Sequence, residues 1–385
     1  AVKHPALPDL PDVPAGEDGA ARRRARRAVG ERMGEADALA RHAVKGDVQK
    51  KDAYWSEQVD IQAKYHGYVE RQKEEVARMA AQEGTPIPAD LDYVALNGLS
   101  IEVDDQGPPG GPPVLLIMGL GMQLTAWPTP LLQALDRAGL RVIRFDNRDA
   151  GLSTGFDDWG VPNLLWNGLK HRLGWSMRKP YSLQDMARDA LGVLDALQVQ
   201  RAHVIGVSMG GMIAQRMAWT APERVMSLVS WMSSSGAPDL PGPQPQVLKA
   251  MSTQPLNPGL EQAIRNTQHL LDVIASPAEH EDPVVMGERV RQAVQRAYRP
   301  AGVMRQTLAV MSDADRFELL CDITCPTLVI HGRDDPLLPL PCGEDTARRI
   351  PGATLRVIDG MGHDIPPGLL QQFLPDLIQF LHEHT

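Results

Sequence analysis

Short apolar runs constrain the fold of this chain more than any other feature of its sequence. Runs of four to eight residues bounded by turn signals are typical of strands that are buried on both faces of a parallel sheet. They occupy residues 114–118, 141–145, 202–207, 225–231, 327–331 and 354–358. The chain therefore predicts an extensive buried sheet.

Helical stretches lie between most of these runs, at residues 131–138, 183–197, 209–220 and 344–350. This alternation predicts an α/β fold, with a mostly parallel central sheet and helices on both of its faces. An antiparallel hairpin is expected before the first run, because Asn97 and Gly98 form a strong turn signal between two strand-like segments.

Residues 233–320 break the alternation with helix-forming and loop sequence that is too long for a simple connection in a compact domain. We expect a helical cap there. It would divide the α/β core into a first part at residues 90–232 and a second part at residues 321–385.

The N-terminal region has a different composition. Residues 1–19 combine several prolines with acidic residues and glycines, which predicts an extended arm. Residues 20–83 contain no proline, and apolar residues recur at helical spacing within 29–43 and 61–79. We predict an N-terminal helical segment at residues 20–89 that packs on the cap or joins a second copy in a homo-oligomer.

Charge and composition exclude several classes of function. A net charge of -9 gives no basic excess for binding nucleic acid, so no nucleic-acid partner is expected. The longest apolar run, 114–122, is shorter than the roughly 20 residues of a membrane span. The basic run at 22–27 is not followed by the apolar segment of a secretory signal, and we expect a cytoplasmic protein. The three cysteines lack the paired spacing of a zinc site, and no metal is expected.

The sequence GVSMGG at residues 206–211 ends a buried run and opens a helical stretch. It matches a nucleophile elbow, in which the residues two before and two after the serine must be small because the turn is so sharp. Gly206 and Gly210 meet that requirement. A tight turn without catalytic function is the alternative, but the strand before and the helix after favour Ser208 as a nucleophile.

A serine hydroxyl needs a base within hydrogen-bonding reach and an acid that orients the base. The chain order that accompanies this kind of elbow is serine, acid, histidine. Asp335 follows an apolar run at the carboxyl edge of the predicted sheet, where ligands bind. Its neighbour Asp334 is the alternative acid. His363 lies in the loop after the last predicted strand and is the expected base.

An acyl-transfer intermediate needs two hydrogen-bond donors for its oxyanion. The backbone N–H of Met209, the residue after the nucleophile, is expected to supply one. The other is expected from the glycine-rich loop at residues 118–122, where we select Leu120. The glycines of this loop allow the backbone to approach a substrate closely.

Three stretches, 118–128, 145–153 and 206–211, resemble the α/β-hydrolase superfamily. Within it they are similar to a bacterial carboxylesterase and lipase-like branch that includes aclacinomycin methylesterase-like proteins. The resemblance implies a carboxylesterase without a cofactor, with Ser208, Asp335 and His363 as triad. Two features depart from the family: Met118 stands where many relatives have histidine, and the segment before residue 90 is not part of the usual fold.

Adaptable apolar side chains near the expected site predict an acyl or alcohol pocket without a charged anchor, although any of them could instead fill the core. The candidate pocket residues are Gly119, Met122, Trp127, Met212 and Met232. We expect a serine carboxylic-ester hydrolase that forms an acyl-enzyme with small to medium apolar esters. The alternatives are C–C bond hydrolysis, amide hydrolysis or acyl transfer on the same fold, and a ligand receptor that retains the triad.

Overall fold

The structure, a computed structural model, describes residues 92–385 except 97, 173–174, 176 and 253–258. The chain divides into two units between Ile87 and Pro88, and the second unit is described here. The predicted arm at residues 1–19, the helical segment at 20–89 and the homo-oligomer expected from it lie outside the described residues. They stay predictions.

An eight-stranded sheet with the order β1-β2-β4-β3-β5-β6-β7-β8 forms the centre of the second unit. The strands are β1 (Asp92–Leu96), β2 (Leu99–Gln106), β3 (Pro113–Ile117), β4 (Arg141–Phe145), β5 (Ala202–Val207), β6 (Val225–Trp231), β7 (Thr327–Gly332) and β8 (Thr354–Ile358). The first two form the predicted antiparallel hairpin, β2 is antiparallel to β4, and the other neighbours are parallel. The predicted fold class is therefore confirmed.

Helices connect most of the parallel strands. They are α1 (Thr129–Arg137), α2 (Leu164–Arg172), α3 (Leu183–Ala196), α4 (Met209–Thr220), α5 (Pro245–Ser252), α6 (Leu260–Ile274), α7 (Pro283–Arg296), α8 (Pro300–Met311), α9 (Arg316–Leu319), α10 (Pro341–Arg349) and α11 (Pro367–Glu383). Two of them begin earlier than the sequence predicts, α1 at Thr129 and α10 at Pro341. A proline in the first turn explains this difference, since its fixed φ favours a helix start.

Both faces of the sheet are covered. Every residue of β5 is buried, and its side chains alternate between two apolar clusters. Val204 belongs to the cluster that includes residues of α3 and α4, whereas Ile205 belongs to the cluster that includes residues of α1 and α11. A continuous apolar run in the sequence is thus the consequence of burial on both sides.

The chain between β6 and β7 holds the helices α5 to α9, in the region where a cap is predicted. Its two ends return to neighbouring positions, because β6 and β7 pair directly, with Leu228 opposite Thr327. A small apolar cluster that includes Ile264 and Val290 joins α6 to α7. The treatment of residues 233–320 as a separate domain stays a prediction.

No helix in the described part of the chain is long and apolar enough to cross a membrane. The cytoplasmic location expected from the sequence stays a prediction.

Candidate active site

Ser208 occupies the single position between the end of β5 and the start of α4. Its backbone has φ 55° and ψ -122°, a region that residues other than glycine rarely adopt. The side chain is partly exposed, although residues 207 and 209 on either side are buried. The sharp turn thus presents the hydroxyl at the carboxyl edge of the sheet.

Close packing requires glycine two residues before and two residues after Ser208. A Cβ atom on Gly206 would lie 2.2 Å from the carbonyl oxygen of Gly210, and one on Gly210 would lie 2.0 Å from that of Ile117. Both distances are far below van der Waals contact. The steric reason given for the GVSMGG pattern is therefore confirmed.

Three side chains that lie far apart in the sequence meet at this turn. His363 Nε2 lies 2.9 Å from Ser208 Oγ, and His363 Nδ1 lies 2.7 Å from Asp335 Oδ2. A carboxylate only accepts hydrogen bonds, so Nδ1 of a neutral imidazole donates to Asp335 and leaves Nε2 to accept from the serine hydroxyl. The arrangement can remove a proton from Ser208.

The structure distinguishes the two candidate acids. Asp335 is 2% exposed, and its Oδ1 accepts hydrogen bonds from the backbone N–H groups of Leu337 (2.9 Å) and Leu338 (2.8 Å). Asp334 is exposed, and its Oδ2 accepts from the backbone N–H of Gly360 at 3.0 Å. Asp335 alone of the two carboxylates is hydrogen-bonded to His363.

A second histidine supports the acid loop. His331 is fully buried, and its Nε2 donates a hydrogen bond to the carbonyl oxygen of Leu338 at 2.7 Å. Burial lowers the pKa of His331 and favours its neutral form. A neutral His331 therefore holds the turn that presents Asp335.

The glycine-rich loop after β3 lies directly against the nucleophile. A Cβ atom on Gly119 would lie 3.2 Å from Ser208 Cβ, and the loop turns back through a hydrogen bond from the N–H of Met122 to the carbonyl oxygen of Gly119 at 3.2 Å. Met209 is the first residue of α4, so its N–H has no acceptor within the helix. The positive end of the α4 dipole also lies here.

The loop after β4 secures the glycine-rich loop. Asn147 is buried, and its Nδ2 donates to the carbonyl oxygen of Met118 at 2.9 Å, while Asp146 Oδ1 accepts from the N–H of Leu124 at 2.6 Å. Both residues lie in the stretch 145–153 that carries the family resemblance, and neither was predicted to belong to the site. The sequence feature that could have identified them is their position, because both are polar residues directly after a strand that ends at the same edge of the sheet.

The cap region contacts the histidine loop. The backbone N–H of His363 donates to the carbonyl oxygen of Ile274 at 2.8 Å, and the N–H of Gly362 donates to Ser276 Oγ at 2.9 Å. Ser276 also donates to Asp364, whose pKa is raised by burial. The candidate base is thus held from the C-terminal end of α6, which sequence reasoning did not anticipate.

The predicted pocket residues occupy different surroundings. Gly119 lies against Ser208, Met122 is half-buried, and Met212 and Met232 are buried in the two apolar clusters. Trp127 is 2% exposed and borders a cavity of about 450 Å³ between β2, β4 and α1, whose lining includes none of the triad residues.

Among the described residues, no group of three His, Cys, Asp or Glu side chains could hold a metal ion.

Comparison with known proteins identifies the family of this chain. The α/β-hydrolase fold family matches residues 112–366. The rhodomycin D methylesterase of Streptomyces sp. strain C5 is 31% identical over 284 residues, which covers 68% of this chain and 87% of that protein. A 2-hydroxy-6-oxononadienedioate/2-hydroxy-6-oxononatrienedioate hydrolase of Pseudomonas sp. is 30% identical over 278 residues, which covers 70% of this chain and 86% of that protein. The chain belongs to the α/β-hydrolase family and is a hydrolase.

Solved structures show the same fold. A hydrolase from Pseudomonas aeruginosa PA01 has a TM-score of 0.57 at 28% identity, over 77% of this chain and 99% of that chain. A thermophilic esterase from Thermogutta terrifontis has a TM-score of 0.56 at 24% identity, over 77% of this chain and the whole of the other.

Proposed function

We propose that this hydrolase cleaves carboxylic esters, with Ser208 as nucleophile, His363 as general base and Asp335 as orienting acid. One observation carries the proposal: an unbroken hydrogen-bonded chain runs from the buried carboxylate through the imidazole to a serine at a nucleophile elbow. Such a chain activates a hydroxyl group that is otherwise a poor nucleophile.

The reaction runs in two halves. Ser208 Oγ attacks the ester carbonyl carbon while His363 Nε2 takes the hydroxyl proton, and the imidazolium then protonates the departing alcohol to leave an acyl-enzyme. Water attacks the acyl group with His363 again as base, and the acid leaves as Ser208 regains its proton. Asp335 stays ionised and holds the Nδ1–H throughout. The N–H groups of Leu120 and Met209 are the proposed donors to the oxyanion in both halves.

An ester substrate is supported by the methylesterase relatives, the rhodomycin D methylesterases of two Streptomyces strains, at 31% and 30% identity. The side chains proposed near the site are apolar, which favours small to medium apolar esters. The proposed reaction requires no cofactor, because the triad supplies both the nucleophile and the proton transfers.

A second candidate function is hydrolysis of a C–C bond. It is favoured by the Pseudomonas relative named as a 2-hydroxy-6-oxononadienedioate/2-hydroxy-6-oxononatrienedioate hydrolase, which is 30% identical to this chain. The same triad and oxyanion donors could serve both reactions. The leaving group distinguishes them, since an ester releases an alcohol whereas C–C hydrolysis releases a carbon fragment that must be protonated.

The deciding experiment compares p-nitrophenyl esters of graded acyl length, a methyl ester and a vinylogous 1,5-diketone acid as substrates. We expect turnover of short to medium esters, with a loss on the order of a thousandfold or more in the Ser208→Ala variant. Ser312→Ala, which removes a hydroxyl that bonds Lys179, is the matched control and should retain activity. Faster turnover of the diketone than of every ester would replace the ester proposal by the second candidate.

A further inference from the structure

The cap-region helix α8 contacts the loop that carries the proposed oxyanion donor Leu120. Its residue Gln306 is fully buried, and the Oε1 atom accepts a hydrogen bond from the backbone N–H of Gly121 at 2.8 Å. The Nε2 atom of the same amide donates to the carbonyl oxygen of Arg148 at 2.8 Å. One side chain thus connects the loops that follow β3 and β4.

The contact with Gly121 fixes the conformation of a turn. Residues 119–122 close through the N–H of Met122 and the carbonyl oxygen of Gly119, and Gly121 has φ 67°, as the third residue of a type II turn requires. The peptide that joins Leu120 to Gly121 can face either way in a turn, and its N–H is the group that Gln306 binds. The glutamine therefore selects one orientation of the peptide next to the proposed donor.

A second contact from α8 reaches the same glycine. A Cβ atom on Gly121 would lie 2.6 Å from Val303 Cγ2, so the helix packs directly on the backbone at this position. On its other side the loop meets the nucleophile through Gly119, whose added Cβ would lie 3.2 Å from Ser208 Cβ. The turn is thus held between α8 and the elbow.

We infer that Gln306 is a positioning residue for the oxyanion hole, which it serves by orienting the turn that presents the Leu120 N–H. This inference rests on the proposed function and adds a residue to it. An oxyanion donor acts on charge that develops in the transition state, so a misplaced donor lowers kcat and leaves KM almost unchanged. Substitution of a residue that only supports the fold would lower stability without a fall in kcat at nearly constant KM.

The test replaces Gln306 by Met, which has similar volume and no group that can bond both loops. For the full chain acting on a p-nitrophenyl ester, we expect kcat to fall about 10- to 100-fold with KM within about twofold, and the Ki of a trifluoromethyl ketone, which binds as a charged hemiketal, to rise in proportion. The control is Thr307→Val on the same helix, where the hydroxyl bonds only the carbonyl oxygen of Val303 within α8. Its kcat, KM and Ki should stay near the wild-type values.

A second variant, Gln306→Glu, retains the side-chain shape and provides a pH signature. A protonated carboxyl group can make the one donated and the one accepted bond that the amide makes here, whereas a carboxylate cannot donate to the Arg148 carbonyl oxygen. The ratio of variant kcat to wild-type kcat should therefore rise as the pH falls from about 8 to 5. A reduced ratio that does not change with pH, or an unchanged Ki for Gln306→Met, would overturn the inference.

The rate at which a fluorophosphonate labels Ser208 separates this inference from the proposed function, because phosphonylation also uses the oxyanion donors. Slower labelling of Gln306→Met supports the role of Gln306 even if the wild-type protein prefers a substrate other than an ester. Equal labelling rates reject that role and leave the triad intact. A wild-type chain that is not labelled at all rejects both.

Discussion

At the scale of single residues, the candidate site depends on backbone sterics around Ser208. The positive φ of this serine is maintained because β5 is buried on both sides and α4 begins at the next residue, so neither element can move to relax the turn. Strain of this kind, on the order of 1–3 kcal/mol, persists only where the surrounding structure determines it. The partly exposed hydroxyl is its result.

The choice between the two neighbouring acids leads to the first prediction. Asp335→Asn should leave the fold intact and lower ester turnover by on the order of a thousandfold, because the amide cannot act as the carboxylate that fixes the tautomer of His363. The matched variant Asp334→Asn removes only an exposed contact to Gly360 and should lose little activity. Steady-state kinetics on the two purified variants check this, and the reverse ranking would show that Asp334 is the acid.

Sequence reasoning proposed the site residues that a short motif or the chain order marks, and it missed residues that contact the site through long-range packing. Ser208 lies in a strand–turn–helix pattern that is visible within six residues of sequence. Asn147, Gln306 and Ser276 reach the site across 29, 185 and 86 positions respectively, through contacts that exist only once the sheet and the helices beyond β6 have formed. No periodicity or motif marks Gln306 or Ser276.

At the scale of elements, two of the helices between β6 and β7 hold loops of the candidate site. The C-terminal end of α6 binds the backbone of His363, and α8 binds the backbone of Gly121. The strands β3, β5, β6 and β7 were predictable, because a strand buried on both faces is a continuous apolar run. The run at 354–358 also forms a strand, but the expectation of full burial was wrong there, because β8 lies at the sheet edge and only its last residue is buried. The order of the strands and the contacts of the inserted helices are set by tertiary packing and were not.

The second prediction concerns Ser276, which joins the end of α6 to the histidine loop. Ser276→Ala leaves the N–H of Gly362 without its hydrogen-bond partner and removes the side-chain donor to Asp364, which should lower stability by about 1–3 kcal/mol. It should also lower kcat about tenfold, since the loop that carries His363 becomes less restrained. Chemical denaturation measures the loss of stability, and steady-state kinetics measure the fall in kcat.

The control for this variant is Thr267→Val, which removes a hydroxyl on the same helix that bonds only the carbonyl oxygen of Ala263. Its kcat should match that of the wild-type protein. If Ser276→Ala has wild-type kcat at a lowered stability, the contact supports the fold without positioning the histidine.

At the scale of the whole molecule, the sheet contains a buried titratable group far from the chemistry. His203 on β5 is fully buried and hydrogen-bonds Ser227 Oγ through Nδ1 at 2.8 Å. Burial, together with electrostatic repulsion from the nearby Arg201 guanidinium, lowers the pKa of His203 to about 4. The folded protein therefore keeps this ring neutral in mildly acidic solution.

The third prediction follows from that pKa. The unfolded chain binds a proton at His203 below about pH 6.5 while the folded chain does not until about pH 4, so stability is lost as the pH falls through this window. The loss should reach about 3 kcal/mol at the lower end. Urea denaturation between pH 7 and 4.5 should show a shallower decline for His203→Gln than for the exposed control His269→Gln. Equal slopes would assign the acid sensitivity to other groups.

The fourth prediction concerns residues 1–85, whose apolar stripes at 29–43 and 61–79 need a partner surface. Deletion of these residues should change the oligomeric state or lower solubility, because the predicted helices gain most of their stability from a buried face. Labelling of Ser208 by a fluorophosphonate should survive, since all three triad residues lie further along the chain. Light scattering and mass spectrometry on the truncated protein check both outcomes. A truncated protein that folds and cannot be labelled would place part of the site before residue 86.

The pairing of β6 with β7 affects the order in which the chain can be assembled during synthesis. About 95 residues separate Trp231 from Thr327, and ribosomes add about 5–20 residues per second. For roughly 5 to 20 seconds, the nascent protein would present β6 as an open apolar edge, which is the kind of strand that pairs with other chains. Both Asp335 and His363 emerge only after this interval. A chain released early would then lack both of these residues and expose an unpaired strand edge. We therefore expect truncated products to be cleared by chaperones or proteases and not to persist.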